Sequence, residues 1–388
     1  MINRKFLLSA TTCLVCTASV AGAIETKAKN AVLMDFETGE FFYEKNADDP
    51  MPPASMSKLM TAYLIFERLK DGRLSPDDVF IVSENAWRKG GAKTGSSTMF
   101  LKDKQRVKVK DLLRGIIVQS GNDACIVAAE NIAGSEAEFA ELANQKAKEL
   151  GLKNSHFANA TGWPNPDHKM SAKDLAVLAH HIIRDFPEYY SIYSEQSFTF
   201  NGIRQENRNP LLMLMPGIAD GIKTGHTSVS GFGLTGSAKK NGRRLIMVVN
   251  GLKTMKERGD ESLRLMNWGF REFSNYAVLK ENVKVVSVPV WLGETKSVSA
   301  VPAKGLTLTL PKGRQKDIVA HLKYKTPLKA PVKKGQEIAS LVLSAPEHAD
   351  TVIPLYAERD VKRLGYFGRL KETVKHVLFS FGADAAKQ

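Results

Sequence analysis

The spacing of apolar and polar positions marks out elements along the chain. Residues 31–36 are an almost unbroken apolar run, and residues 40–43 follow after Thr38-Gly39, so the pair reads as a hairpin. Pro52-Pro53 stops extended structure, and from Ser55 to about Leu69 the apolar density predicts a helix. Three- and four-residue spacing predicts further helices over 109–119, 123–132, 136–150 and 172–184. Strands return over 219–224, 231–239 and 243–250, the last two joined by Asn241-Gly242, a strong hairpin signal. This order, strands then helices then strands, predicts an α+β domain whose antiparallel sheet is shared by both ends of the segment, with helices packed on it. Near Val283 the pattern shortens into Val/Leu/Thr runs broken by Pro and Gly. In Leu306-Thr307-Leu308-Thr309-Leu310 strict alternation puts leucines on one face and threonines on the other, as a half-buried strand requires. A small all-β domain is therefore expected after the mixed one.

Both ends of the chain differ from this pattern. Arg4 and Lys5, an apolar stretch from Phe6 to Val20 and Ala21-Gly22-Ala23 have the order of a secretory signal peptide, too short and too threonine-rich for a transmembrane anchor. Cys13 and Cys16 fall inside it, which leaves Cys125 as the one cysteine of the expected mature chain and no intramolecular disulfide. At the other end, Tyr366, Phe367, Leu370, Val374, Val377, Leu378 and Phe381 recur at three- and four-residue steps. Five Lys/Arg between 362 and 376 face a single acid, Glu372. That is the make-up of a helix lying in the interface of an anionic membrane; the alternative is a helix packed on the β-domain. The boundaries expected are thus 1–23 signal peptide, 24–280 mixed domain, 281–360 β-domain and 361–388 anchor.

Composition narrows the class. With 388 residues, 43% apolar and 25% charged, the chain is globular, and no apolar run after the N-terminus is long enough for a polytopic membrane protein. The net charge of +14 raises the question of nucleic acid, but the basic residues are scattered, without interleaved aromatics or finger spacing. A polyanionic or membrane surface fits the charge at least as well.

Three short motifs carry the chemistry. Ser55-Met56-Ser57-Lys58 is S-x-x-K, which on a helix puts serine and lysine on one face. The apolar neighbours Leu59, Met60, Tyr63, Leu64 and Ile65 put the lysine in partly buried surroundings, and burial lowers an amine's pKa towards that of a useful base. Ser120-Gly121-Asn122 gives S-x-N between two helical runs, and Lys223-Thr224-Gly225 gives K-T-G on an expected strand. Lys93-Thr94-Gly95 repeats the last triplet, but it precedes S-x-N in a Gly/Ser-rich stretch and reads as a surface loop. No H-E-x-x-H occurs, and His180-His181 point apart on a helix, so no zinc site is implied. Cys125 reads as a small buried residue near the site.

The order S-x-x-K, S-x-N, K-T-G is the signature of penicillin-recognising serine enzymes. With its surroundings, Pro53-Ala54-Ser55, Gln119-Ser120-Gly121-Asn122-Asp123-Ala124 and Asp220-Gly221-Ile222-Lys223-Thr224-Gly225-His226-Thr227, the chain resembles the serine-type D-alanyl-D-alanine carboxypeptidases of peptidase family S11, the low-molecular-mass penicillin-binding proteins. The resemblance runs from about Ala31 to the C-terminus. It implies the penicillin-recognising transpeptidase/β-lactamase-like fold, Ser55 as nucleophile, Lys58 as general base and Ser120 as proton relay. It also implies that Asn122, Lys223, Thr224, Gly225 and His226 bind substrate, with an oxyanion hole from the N–H groups of Ser55 and His226. Arg258, thirty-five residues past Lys223, falls where the family binds the substrate carboxylate, the alternative being a solvated loop arginine; Arg208 also matches a position near the site.

The expectation is a periplasmic hydrolase, peripherally attached to the outer face of the inner membrane, that trims peptidoglycan pentapeptide stems and is trapped by β-lactams. No metal or organic cofactor and no nucleic acid are implied. Three alternatives stand: a DD-endopeptidase on cross-links, a class A-like β-lactamase, and a non-catalytic cell-wall binding protein. The second lacks the expected E-x-x-L-N, since Glu138, Glu141 and Glu149 do not begin it; the last would need no activated nucleophile.

Overall fold

The computed structural model describes residues 24–345 and 349–374. The expected signal peptide lies outside them, as do Val377, Leu378 and Phe381 of the C-terminal stripe. The central sheet has five antiparallel strands in the order Phe41–Lys45, Asn30–Asp35, Arg243–Leu252, Gly231–Lys240, Ala219–Thr227. Strands from the two ends of the segment therefore lie side by side, as the element order requires. Asn241 and Gly242 both take positive φ, 52° and 84°, the turn that an Asn-Gly hairpin selects.

Every residue of Asn30–Asp35 is buried, because apolar side chains leave both faces of this strand. Val32 and Met34, with Ile246 and Val248, pack on a helical layer that includes Lys58–Lys70, Val109–Ile117, Asn122–Ala133 and Ala172–Asp185. Ala31 and Leu33, with Leu245, Met247 and Val249, pack the opposite way onto Leu265, Met266 and Trp268. Those three belong to a helix, Met255–Glu272, that the pattern reading did not assign. Its sequence is polar overall, which hides its apolar stripe. The missed signal is Thr254 three residues before Glu257: the Thr254 hydroxyl accepts the Glu257 N–H at 3.0 Å, a helix N-cap.

The second region is all-β. Phe273–Leu279 pairs with Leu306–Pro311, and six strands form a separate sheet in the order Val319–Lys323, Glu337–Ser344, Thr351–Ala357, Ser297–Pro302, Val286–Trp291, Leu328–Lys329. Pairing thus passes to this region before residue 280. At its other end Val361 is buried in the β-core, and the Glu294 and Leu364 N–H groups bond to the Lys362 and Leu292 carbonyls, so residues 361–364 are tied to this region rather than to an anchor. Residues 366–374 are helical, and Tyr366, Phe367, Leu370 and Val374 are exposed, so the alternative of a helix packed on the β-domain does not hold for these four.

The threonine face of Leu306–Pro311 is also a correction: Thr309 is buried, not solvated. Its hydroxyl meets that of Thr38 at 2.8 Å, and its N–H donates to Glu40 Oε2 at 2.7 Å, both in the first hairpin. Alongside, the fully buried Asp35 carboxylate accepts from Arg243 Nε at 2.8 Å, Asn275 Nδ2 at 2.9 Å, and the N–H groups of Glu37 and Thr38. The two regions are joined by a polar network of directed bonds, with Arg243 Nη2 left without a partner among the described residues. Asp35→Ala would leave the mostly buried Arg243 guanidinium without its anion, and breaking such a pair costs about 3 kcal/mol or more. The expected result is a clearly lower urea midpoint; an unchanged midpoint would show that water replaces the carboxylate.

Candidate active site

Ser55 lies in a 3-10 turn, Ala54–Ser57, that leads directly into the Lys58–Lys70 helix. The turn brings the Lys58 side chain back over the serine. Lys58 Nζ donates to Ser55 Oγ at 2.9 Å, to Asn122 Oδ1 at 2.7 Å and to the Thr161 carbonyl at 2.5 Å. The lysine is 1% exposed. Burial lowers its pKa from 10.5 to about 8, and the positive charge of Arg208 acts in the same direction. Its amine therefore gives up a proton near neutral pH while touching a serine hydroxyl.

Ser120 and Asn122 come from the break between two helices, Val109–Ile117 and Asn122–Ala133. Ser120 is buried and has φ 61°, a conformation that costs a non-glycine residue on the order of 1 kcal/mol. The break is fixed by the Gly121 N–H on the Gly115 carbonyl and the Asn122 N–H on the Ser97 carbonyl, both 2.8 Å. Asp123 secures the neighbouring loop: its carboxylate accepts from Thr98 Oγ1 and from the N–H groups of Met99 and Leu101. The Thr161 carbonyl is aimed by Asn159, whose Oδ1 accepts from the Thr161 N–H and hydroxyl and the Gly162 N–H. Gly162 has φ +79°, and a Cβ there would lie 2.0 Å from the Ala54 carbonyl oxygen, so only glycine lets this loop approach the serine turn.

Lys223, Thr224, Gly225 and His226 lie on Ala219–Thr227, the edge strand of the central sheet. A strand with one free side can pair with an extended peptide. Gly225 abuts the serine turn, where a Cβ would stand 2.8 Å from the Pro53 carbonyl oxygen. Lys223 is buried, and burial holds its pKa well below 10.5, with the charges of Lys58 and Arg208 adding to the effect. The His226 ring stacks on Phe232 at 3.8 Å, and the Arg258 guanidinium lies 5.7 Å from the same Phe232 ring.

Arg258 is not in a loop. It sits in the first turns of Met255–Glu272, 4% exposed, with a bond from Nη2 to the Arg208 carbonyl at 3.3 Å and no partner for Nε among the described residues. Burial, with the charge of Arg208, lowers its pKa to about 10. The side chain of Arg208 faces the cavity and donates to Ser97 Oγ.

One cavity of about 550 Å³ collects these groups. Ser55, Ser120, Asn122, Thr224, Gly225, His226, Arg208 and Arg258 line it, while Lys58 and Lys223 lie buried beside it. All ten residues expected from the sequence are brought to one place. Sequence reasoning missed Thr161 and Gly162, which act through backbone, and Ser96 and Ser97, which also line the cavity. Lys93-Thr94-Gly95 is an exposed turn, yet Gly95 reaches the cavity wall. Glu138, Glu141 and Glu149 lie on the helix Glu136–Glu149, away from the cavity lining. His180 bonds to the Phe36 carbonyl and His181 to Asp185. Cys125 is buried beside the site, and burial pushes its thiol up to about 12.

Residues 16–254 match the family model described as D-alanyl-D-alanine carboxypeptidase, and residues 273–363 match that of the penicillin-binding protein 5 C-terminal domain. The chain belongs to the D-alanyl-D-alanine carboxypeptidase family. It is 39% identical over 358 residues to D-alanyl-D-alanine carboxypeptidase DacA of Escherichia coli (strain K12), covering 92% of this chain and 89% of that protein. It is 36% identical over 354 residues to DacF of Bacillus subtilis (strain 168), covering 90% and 89%. Among solved structures, penicillin binding protein 5 from Haemophilus influenzae superposes with a TM-score of 0.78 at 38% identity, covering 88% of this chain and 99% of that one. Penicillin-binding protein D2 from Listeria monocytogenes, in its ampicillin-bound form, gives 0.56 at 31% identity over 64% of this chain and 99% of that one. This D-alanyl-D-alanine carboxypeptidase therefore has both halves of the penicillin-binding protein 5 architecture, the catalytic fold and the all-β domain after it.

Proposed function

We propose that the protein is a serine-type D-Ala-D-Ala carboxypeptidase that removes the terminal D-alanine from peptidoglycan pentapeptide stems and is acylated by penicillins at Ser55. The observation that carries this reading is the contact of buried Lys58 with Ser55, set beside an edge strand and two arginines. Neutral Lys58 takes the Ser55 hydroxyl proton as Oγ attacks the penultimate carbonyl. Backbone N–H groups of Ser55 and His226 would hold the oxyanion. The C–N bond then breaks, the proton passes by way of Ser120 to the leaving amine, and D-alanine departs. Water cleaves the Ser55 ester and releases the shortened stem. Asn122 orients Lys58 and holds the substrate amide, while Lys223, Thr224, Arg258 and Arg208 bind the terminal carboxylate. A free carboxylate is what a buried guanidinium with an unpartnered Nε requires. A β-lactamase reading is disfavoured, since among the described residues no glutamate lines the cavity.

The exposed Tyr366, Phe367, Leu370 and Val374 support attachment of the C-terminal helix to an anionic membrane surface at the outer face of the inner membrane, with the enzyme in the periplasm. Among the described residues no helix is long and apolar enough to cross a membrane.

The base assignment sets a pH profile. Below about 8 Lys58 is ammonium and has no lone pair, so acylation by a fluorescent penicillin should rise with pH and level off above that value. Stopped-flow rates flat from pH 6 to 9 would mean another base, and a penicillin adduct surviving in Ser55→Ala would refute the nucleophile.

Arg258→Ala should slow hydrolysis of a D-Ala-D-Ala peptide with a free carboxylate by ~10²-fold, the loss of a hydrogen-bonded charge. An amidated peptide should lose far less. Equal losses on both would make Arg258 structural.

Deletion from Gly365 onward leaves the 361–364 pairing intact and should release the protein from vesicles containing anionic lipid, with activity on a small peptide unchanged. Flotation of the truncated form with the vesicles would place the attachment elsewhere.

A further inference from the structure

The exposed turn that repeats K-T-G is connected to the catalytic lysine by a chain of hydrogen bonds. The Thr94 hydroxyl donates to the Gly91 carbonyl at 2.9 Å. A hydroxyl has one hydrogen, so towards its other neighbours Thr94 Oγ1 accepts: from the Ser96 N–H at 3.3 Å and from the Ser96 hydroxyl at 2.6 Å. With its own hydrogen spent on Thr94, Ser96 Oγ can only accept from Asn122, whose Nδ2 lies 3.1 Å away. The nitrogen end of the Asn122 amide therefore faces Ser96, and its oxygen faces Lys58 Nζ at 2.7 Å. Turned over, the amide would set N–H against the N–H donors of Lys58 and an oxygen against a hydroxyl oxygen that has no hydrogen to give.

We propose that Thr94 and Ser96 are positioning residues that hold the Asn122 amide in the one orientation that offers an acceptor to Lys58. This rests on the carboxypeptidase reading, in which Lys58 is the base. The two residues touch neither Ser55 nor Lys58; they act through Asn122. The turn is held at the site by a second tie, the Asn122 N–H on the Ser97 carbonyl at 2.8 Å, so loss of the hydroxyl chain need not displace it.

The test compares Thr94→Val, Thr94→Ser and Ser96→Ala by acylation rate against pH. Thr94→Val frees the Ser96 hydrogen, so the amide samples both orientations. A turned amide gives N–H to the lysine lone pair and favours the neutral amine, which moves the acid limb of the profile to lower pH. The plateau should fall ~5-fold, the worth of about one hydrogen bond. Ser55, Asn122 and the Thr161 carbonyl contact Lys58, and Cys125, Asp123, Arg208, Lys223 and His168 act on it at longer range; none of these is substituted, and Asn122 is the contact through which the substitutions act. Thr94→Ser keeps the hydroxyl and should restore limb and plateau, while Ser96→Ala should behave as Thr94→Val. A turn that merely shapes the cavity would lower the plateau without moving the limb.

Unshifted limbs in both Thr94→Val and Ser96→Ala overturn the proposal. Independently of activity, the Asn122 side-chain NH₂ should show NOEs to Ser96 Hβ in the wild-type protein, weakened in Thr94→Val; their absence from the wild-type protein also overturns it. Failure of wild-type Ser55 to be acylated at all would instead refute the carboxypeptidase reading.

Discussion

A lysine with 1% exposure has to have its amine hydrogens taken by protein acceptors, because water is not available to take them. Lys58 finds three acceptors, and each comes from a different part of the chain: Ser55 from its own turn, Asn122 from a helix start 64 residues on, and the Thr161 carbonyl 103 residues on. The rest of the catalytic fold can be read as the means of bringing these together. The strained backbone at Ser120 and the Asp123 clamp on residues 98–101 shape the segment that carries Asn122, and the Asn159 turn aims the Thr161 carbonyl. Satisfying the amine fully would keep it charged; burying it works the other way. The balance, a pKa of about 8, leaves an amine that is neutral often enough for the proposed role of base and still bonded well enough to be ordered.

Beside this amine the site collects more positive charge. Lys223 and Arg258 are buried with it, and Arg208 faces the same cavity. The charge of Arg208 lowers the pKa of Lys58, Lys223 and Arg258 alike, and Lys58 and Arg258 add to the effect on Lys223. Such a cluster is unfavourable until an anion enters, so the fold stores repulsion that the substrate carboxylate proposed above would relieve. In the proposed reading the same surplus lets a lysine base coexist with cationic carboxylate binders, since the charge of Arg208 helps keep Lys58 neutral.

Much of this was legible in the sequence, for a physical reason. Ser55, Lys58, Ser120, Asn122, Lys223 and Thr224 present side chains in short local patterns, and the sheet could be inferred from apolar runs and an Asn-Gly turn. What stayed hidden acts through backbone or through distant contact. Thr161 contributes a carbonyl, which every residue has. Gly162 matters only because Ala54 lies 2.0 Å from where its Cβ would be. The Met255–Glu272 helix was obscured by polar composition, which left Arg258 with a loop as its alternative, although the Thr254 cap was available as a signal. Alternation in Leu306–Pro311 predicts one wet face, because nothing local reveals that Thr38, Glu40 and Asn275 cover Thr309.

That last contact bears on how the two regions work together. An apolar interface can slide with little loss, since dispersion and burial are nearly indifferent to small shifts. Asp35, Arg243, Asn275 and Thr309 form instead a set of directed bonds, several to fully or nearly fully buried groups, and a displacement of an ångström would break more than one at once. The junction therefore fixes an orientation. At the far end of the β-region residues 361–364 are bonded to Leu292 and Glu294, so the C-terminal helix also starts from a fixed point. With that helix seated on a membrane, as proposed, its origin and the polar junction together would set the height and facing of the cavity that holds Ser55. The reach of the enzyme into the wall is then a property of the β-region's length and not of a flexible linker.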